Sequence, residues 1–187
     1  MALVLFVSED YLKSFSVIND NVEMKQITPL IDKVQDQRIL PAIGTGLFEQ
    51  LKTQIAASTL TALNTTLLDD YIAKAVLWWT MYEAPIFFNY RFMNKGVMVK
   101  NSDNSRPADM AELNDLRGLF KSDAEFYTEK IILYLIENSN DYPLYDNPGD
   151  GTDIITPQGY SYTNGMNLQD DSPDNGLPID WGRQYGL

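Results

Sequence analysis

The acidic side chains are the main source of acid–base chemistry in this 187-residue chain, because it contains no Cys and no His. That composition excludes thiol nucleophiles, Cys/His zinc sites and Ser-His-Asp triads. Asp69 and Asp70 are adjacent, so on a helix their side chains point about 100° apart and cannot act as a carboxylate pair. We interpret both as first-turn helix charges. The sequence therefore predicts a protein that is not an enzyme, and a carboxylate-based enzyme is the least favoured class.

Two short motifs are similar to ligand sites but fail on context. Residues 146–153 (DNPGDGTD) look like a calcium loop, yet Pro148 occupies the third position of an EF-hand loop and no Glu follows at the twelfth. Gly44-Thr45-Gly46 lacks the third glycine of a dinucleotide fingerprint and the Lys of a P-loop, and it follows a helical pattern rather than a strand. We assign no metal, cofactor or catalytic residue, and a loose calcium site at residues 146–153 remains an open alternative.

Basic side chains are few, and the formal net charge is −12. Arg91, Lys95 and Lys100 form a small basic group, too small to release the counterions on which nucleic-acid binding depends. It is suited to docking an acidic neighbour, so Arg91 and Lys95 are candidate partner-binding residues. The acidity also suits a protein that keeps DNA at a distance or meets a basic surface, although ordinary solubility explains it equally well.

The composition changes at Asp141. From there to the end of the chain Gly, Pro, Asn and Asp dominate, with no Lys or Glu. Such a segment buries too little apolar surface to offset the entropy of ordering it. Its aromatic residues nevertheless favour an arm that orders on a partner, against the alternative of a solvated tail. The candidate partner-binding residues in it are Tyr142, Tyr145, Tyr160, Tyr162, Trp181 and Tyr185.

Helical periodicity dominates the chain before that point. Thr66 with Asp69 is expected to open the central core helix, apolar on nearly all sides, and Pro85 to end or kink it. Trp78 and Trp79 in this helix are read as core. A second long helix opens at Asp109/Glu112 with capping-box spacing and runs to about residue 140. Between them, residues 90–103 change period around Asn-Lys-Gly, which predicts a β-hairpin.

The corner at residues 34–54 (VQDQRILPAIGTGLFEQLKTQ) is the most informative segment. Pro41 disfavours helix in the residue before it, so the first helix is expected to stop near Leu40. Gly44 and Gly46 permit backbone angles that a β-carbon penalises, and no reactive side chain is present. We interpret the segment as a packing device between two helices.

These patterns predict a mainly α fold: a small helical bundle with a β-hairpin insertion, an extended N-terminal arm and a long irregular acidic C-terminal tail. The boundaries are an arm or strand at residues 1–7, a helical domain at 8–140 and the tail at 141–187. The apolar arm (MALVLFV) either adds to a neighbour's sheet or covers the chain's own core. It has no features of a signal peptide, and no stretch approaches the length of a membrane span.

The order of these motifs resembles a known family. The segment NDNV at residues 19–22, the pattern I-x-P-x-I at 27–31, the run ILPAIG at 39–44 and LFEQL at 47–51 are similar to the N-terminal half of phage head–tail connector proteins. The corner with proline and glycine looks like the version found in crAss-like phages. The resemblance covers roughly residues 8–138, and the tail after Asp141 lies outside it.

That resemblance implies a structural virion protein, made in the host cytoplasm and placed at the head–tail junction. It implies a homo-oligomeric ring, usually of 12 copies, that binds the portal protein on one side and further neck or tail proteins on the other. DNA would pass through the ring without specific binding, and no membrane or cofactor is involved. The alternative is an acidic monomeric inhibitor or DNA mimic, which the net charge favours and the placement of acidic residues in a Gly/Pro-rich tail disfavours.

Overall fold

The computed structural model describes residues 3–19, 21–93, 96–99, 109–151 and 154–157. This part of the chain is mainly α-helical, which confirms the predicted fold class at that level. The helices are α1 (Glu9–Phe15), α2 (Met24–Val34), α3 (Leu40–Ile43), α4 (Thr45–Ala57), α5 (Ala62–Thr66), α6 (Ala73–Asn89), α7 (Met110–Glu137) and α8 (Pro143–Asp146). π-helical segments at Gln35–Ile39 and Leu67–Ile72 join α2 to α3 and α5 to α6, and a 3-10 turn at Ser139–Asp141 follows α7.

Helix α6 is the centre of the structure, as its composition predicts. Its residues Ala75, Val76 and Leu77 are all buried although they are consecutive, so this part of the helix is covered over most of its circumference. It packs mainly against α7 and also against α2. Trp79 is buried, and its indole Nε1 donates a 2.8 Å hydrogen bond to the hydroxyl of Thr128 on α7, which satisfies the one polar atom of the ring.

Two segments are more continuous than their prolines suggest. Pro85 lies inside α6 and does not end it, since the helix continues to Asn89. Likewise the helix does not stop at Leu40: the π-helical segment places the Leu40 N–H on the carbonyl of Gln35, and α3 then runs through Pro41 to Ile43. The wider turn changes the hydrogen-bond register just before the residue that has no N–H to donate.

The predicted capping box of α7 is confirmed, and the predicted start of the central helix is corrected. Ser8 caps α1, and Asp109 and Glu112 form the complete capping box of α7. The helical run that contains α6 begins earlier than Thr66, because Thr61 caps Asn64 and α5 leads directly into the following π-helical segment.

Gln35 fixes the N-terminal arm onto the body. Its fully buried side chain accepts a 2.6 Å hydrogen bond from the Phe6 N–H and donates a 3.1 Å bond to the Val4 carbonyl. Phe6 and Val7 are buried, and the Phe6 ring meets the Phe48 ring edge-on at 5.1 Å between centroids. Residues 3–7 therefore cover the chain's own core, which was one of the two roles considered for the arm.

Between α6 and α7 the chain forms two short strands, β1 (Tyr90–Met93) and β2 (Gly96–Val99). They pair antiparallel, with Tyr90 opposite Val99 and Met93 opposite Gly96. The rest of the segment predicted as a hairpin, at residues 94–95 and 100–103, lies outside the described residues.

The helical body extends past residue 140. The 3-10 turn and α8 follow α7 directly, and Tyr142 and Tyr145 are buried in the main core. The first part of the predicted tail thus belongs to the body, because its two tyrosines supply the apolar surface that the segment's other residues lack.

Replacing Gln35 with Ala tests how the arm is held. The change leaves the Phe6 N–H and the Val4 carbonyl without their partner in the core, so we expect a loss of about 2–3 kcal/mol in unfolding free energy. Urea denaturation followed by circular dichroism measures it. Gln26→Ala, on the exposed side of α2, is the matched control and should change stability by less than about 0.5 kcal/mol. Equal effects of both changes would show that the arm does not depend on Gln35.

Candidate interaction surfaces

The Gly44-Thr45-Gly46 corner holds the segment that follows α8. The Thr45 N–H, at the start of α4, donates to the Ile155 carbonyl at 3.0 Å, and the Ile155 N–H donates back to the Thr45 hydroxyl oxygen at 2.8 Å. The first of these bonds satisfies a backbone donor that the beginning of a helix leaves unpaired. We call residues 44–46 with Pro148, Ile155 and Pro157 the clasp.

Both glycines of the clasp are required by close approach. A Cβ on Gly44 would lie 2.8 Å from the ring of Pro157, and this residue has a φ of +78°, a conformation that side chains rarely adopt. A Cβ on Gly46 would lie 2.8 Å from the backbone of Pro148. The corner is therefore a packing device, as predicted, but it packs against a segment 110 residues away in the sequence.

Two of the predicted partner-binding residues serve the fold instead. Tyr145 is fully buried, and Tyr142, 2% exposed, donates a 2.9 Å hydrogen bond to the Leu63 carbonyl on α5. Their contacts are made within the chain, so a partner-binding role does not fit this placement. Burial raises the pKa of the Tyr142 phenol well above its usual range, and the hydroxyl of Tyr134, 3.4 Å away, raises it further.

The other predicted partner-binding residues are not brought together by the described structure. Arg91 lies on β1 opposite Met98, and its side chain is not described. The remaining five lie outside the described residues: Lys95, Tyr160, Tyr162, Trp181 and Tyr185.

An apolar groove, not predicted from the sequence, opens between α6, α7 and the linker from α1 to α2. Its volume is about 660 Å³. Val17 at its edge is 83% exposed and Leu116 is 40% exposed. The only uncharged polar side chain in the lining is that of Asn19, and no charged residue contributes. The groove is lined by Val17, Ile18, Asn19, Val22, Met81, Ala84, Pro85, Phe88, Leu113, Leu116 and Phe120.

The groove could not be read from periodicity alone. Leu113, Leu116 and Phe120 are spaced by three and four residues, which predicts one core-facing side of α7. They do lie on one face, but α6 and the linker cover it incompletely at this end. Val17 could have indicated the groove, because it is an apolar residue in the linker between two helices and belongs to the core-facing side of neither.

A smaller cleft contains Asp69, one of the two adjacent carboxylates considered for catalysis, but not Asp70. It has a volume of about 390 Å³ and includes the rings of Tyr11, Trp78 and Tyr127, with Asp69 and Lys74 as its charged residues. No second carboxylate stands beside Asp69 in this lining, so the cleft does not supply the acid–base pair that hydrolytic chemistry commonly uses. Across the described ranges no three acidic side chains are grouped as a metal site would require.

Comparison with protein families gives a match. A family model described as a family of unknown function, DUF6712, matches residues 39–155. The chain belongs to this family. The match begins at the last residue of the first π-helical segment and ends at Ile155. It therefore includes both Thr45 and Ile155, which are hydrogen-bonded in the clasp. No curated protein and no solved structure matches the chain. None of the helices in the described part has the length and apolar character needed to cross a membrane.

Thr45→Val tests the clasp. Valine preserves the branched shape but removes the oxygen that accepts the Ile155 N–H, and one such hydrogen bond contributes about 1 kcal/mol. We expect the Ile155 amide to exchange with deuterium about fivefold faster. Mass spectrometry of peptic fragments, or NMR, measures the rate. Thr65→Val, which removes a hydroxyl bonded only within its own helix, is the control and should leave Ile155 unchanged. An unaltered rate in Thr45→Val would show that the clasp does not depend on this bond.

The raised pKa of Tyr142 predicts how stability depends on pH. The unfolded chain ionises this residue near pH 10, whereas the folded protein keeps it neutral to higher pH. The stabilisation that the neutral Tyr142 phenol gives the folded protein is therefore fully present below about pH 10 and is lost as the pH rises above it. In denaturation curves between about pH 9 and 12, Tyr142→Phe should lose stability less steeply than the unmodified protein. Parallel curves would contradict a role for this phenol, since the other tyrosines are common to both proteins.

Proposed function

We propose that this protein is a structural subunit of a phage neck: a head–tail connector that forms a ring beneath the portal and extends the DNA channel toward the tail. The resemblance of residues 8–138 to connector proteins motivates the proposal. The single structural observation that supports it best is the apolar groove. A ring subunit must present a surface that its own chain leaves uncovered, and a contiguous apolar surface is the usual mark of a protein interface.

The charge distribution is compatible with this role. Subunits with a net charge of −12 repel one another, and an uncharged contact surface avoids adding to that repulsion. The lining of the groove contains no charged residue. An acidic ring would also let DNA pass without binding it, because the phosphates would find no continuous basic surface.

The finer architecture belongs to the same proposal. The body would carry the hairpin at residues 90–103 as an insertion toward a neighbour, and the segment after the clasp would be an arm that reaches the portal or another neck protein. The clasp supports this division, because it holds Ile155 and Pro157 on the body and so sets the point from which the remaining 30 residues start. Tyr160, Tyr162, Trp181 and Tyr185 remain the candidate anchors of that arm.

The role proposed for the protein is passive. The described clefts offer an apolar groove and an aromatic cleft with a single carboxylate, which suit contact with other proteins better than catalysis. Virion localisation and the absence of enzymatic activity are parts of the proposal.

Native mass spectrometry across a concentration series tests the ring. We expect closed oligomers of about a dozen subunits, either from the free protein or after addition of a portal protein. Val17→Asp places a charge at the edge of the groove without disturbing the core, because Val17 is 83% exposed. This change should abolish the ring and leave the thermal midpoint within about 2 °C. Leu63→Asp, at an exposed apolar position on α5, is the matched control and should assemble normally.

A protein that stays monomeric with its portal would contradict the proposal. If it instead bound a basic partner through its carboxylates, and lost that partner when Asp residues after residue 157 were changed to Asn, the acidic inhibitor would be the better description. Equal loss of the ring in the Val17 and Leu63 variants would show that the groove is not the contact.

A further inference from the structure

Helix α7 carries a second apolar surface on the side that faces away from the core. Leu119, Phe126 and Leu133 are 68%, 59% and 59% exposed, and they recur every seven residues. Seven residues are almost two full turns, so the three side chains lie along one line that drifts by only about 20° per repeat. We call these three residues the ridge.

The ridge is separate from the face that α7 buries. Ala124 and Ile131, both fully buried, precede Phe126 and Leu133 by two residues, which places them about 200° away around the helix. A helix that only had to cover α6 would need apolar residues on one side. The three large side chains on the other side form an aligned apolar row rather than scattered single residues, and a row of this kind marks a contact surface.

The pattern around Phe126 is symmetric. Leu119 precedes it by seven residues and Leu133 follows it by seven, so reversing the helix direction exchanges the two leucines. Two charges of opposite sign flank the central ring: Asp123 three residues before it and Lys130 four residues after it. Both are exposed, and both lie on the same edge of the ridge at about 40–60° from Phe126.

We propose that the ridge binds the same ridge of a second copy of this chain, with the two α7 helices antiparallel about a twofold axis at Phe126. In that arrangement Phe126 meets Phe126 of the other copy, and each Leu119 meets a Leu133. The twofold axis is perpendicular to both helices, so the edge that carries Asp123 and Lys130 in one copy lies beside the same edge of the other copy. Because the helices run in opposite directions, Asp123 of one copy faces Lys130 of the other. The reverse pair forms by symmetry. Beside the central ring the surface is therefore complementary to itself in charge.

The contacts within one subunit leave these groups accessible. The Phe126 ring is held edge-on against Tyr127 at 5.3 Å between centroids, which fixes its position on the ridge. The Lys130 ammonium lies 5.4 Å from the centroid of the Tyr71 ring, an exposed cation–π contact that leaves its other donors open. Ser122 and Glu129, on the opposite edge, would face each other across the axis, so no like charges meet beside the central ring.

A parallel pair is the alternative arrangement. Its twofold axis would run along the helices and bring opposite edges of the ridge together, so Lys130 would face Glu129 of the other copy and Asp123 would face Ser122. Only the antiparallel pair uses both Asp123 and Lys130, and it also sets the two helix dipoles in opposite directions. The pairing is also distinct from the proposed ring contact, because a twofold contact joins two copies and closes, while a ring needs two different surfaces on each subunit.

Cysteine crosslinking tests the orientation directly, since the chain has no Cys of its own. In the full-length protein, Phe126→Cys should form a disulfide-linked dimer under mild oxidation. Leu119→Cys alone should not, because the two thiols would be about 20 Å apart in the antiparallel pair. A mixture of the Leu119→Cys and Leu133→Cys proteins should give the mixed dimer. Self-crosslinking of all three variants would indicate a parallel pair and overturn the proposal, as would the absence of crosslinking in every combination.

Charge reversal tests the ion pairs by a separate measurement. By sedimentation equilibrium, Asp123→Lys alone and Lys130→Asp alone should each weaken the dimer about tenfold, because each change turns two attractive contacts into repulsive ones. The double variant Asp123→Lys with Lys130→Asp should restore the original affinity. Failure of the double variant to recover would contradict the antiparallel pairing even if both single variants weaken it.

Phe126→Glu separates this proposal from the ring. It should abolish the dimer and leave ring assembly intact, whereas Val17→Asp should do the opposite. Loss of the ring in Phe126→Glu would show that the ridge is the ring contact itself and would overturn the twofold pair. An intact dimer in Phe126→Glu would show that another surface holds it.

Discussion

The enclosure of α6 is the constraint from which the rest of this structure follows. This 17-residue helix has buried side chains at consecutive positions, so other elements must cover most of its circumference, although Phe87 near its end is 50% exposed. Helix α7 covers one side, α2 another, and the two π-helical segments also pack against it. The polar contacts at this centre are few and specific. The Trp79 indole bonds to Thr128, and the Arg117 Nε donates to the Tyr82 carbonyl at 3.0 Å while its guanidinium lies over the Tyr82 ring.

The helical body that encloses α6 also holds two irregular segments of the chain, residues 3–7 and 154–157. Neither residues 3–7 nor residues 154–157 form a regular helix or strand, and each segment is hydrogen-bonded to a polar residue of the body. Gln35 supplies one donor and one acceptor to residues 4 and 6, and Thr45 supplies one of each to Ile155. A segment without internal hydrogen bonds can lie on a core only if its backbone groups are satisfied in this way. Gln35 and Thr45 are therefore the residues that convert irregular segments into part of the body.

The sequence predicted those parts of the fold that depend on neighbouring residues. The periodic faces of α6 and α7 and the capping box of Asp109 and Glu112 follow from spacings of three and four residues, and all are present. Pro41 does not stop the helix as predicted, because a local proline rule does not foresee the change to π-helical bonding that keeps this helix continuous. Pro85, predicted to end or kink α6, lies inside the helix and does not end it. Tyr142 was assigned to a tail on local composition, but its burial depends on the Leu63 carbonyl, 79 residues away. The groove could not be predicted for a related reason. It forms where α6 and the linker from α1 to α2 leave part of one face of α7 uncovered, and this depends on how the elements pack rather than on the sequence of any one of them.

The two apolar surfaces of α7 place different symmetry demands on any assembly. Leu113 and Phe120 open toward the groove, while Leu119 between them points about 100° or more away along the ridge, so both surfaces can be occupied at once. If the groove makes a cyclic contact and the ridge a twofold contact, a particle that used both would have dihedral symmetry, with two equivalent ends. A neck that joins a portal to a tail has two different ends. A connector of this kind would therefore use the ridge only before or outside its place in the neck, and release of the twofold pair would precede docking. Pairing of two ridges would then cover this apolar surface in unassembled subunits. Helix α7 would carry both the surface used before assembly and part of the surface used in the ring.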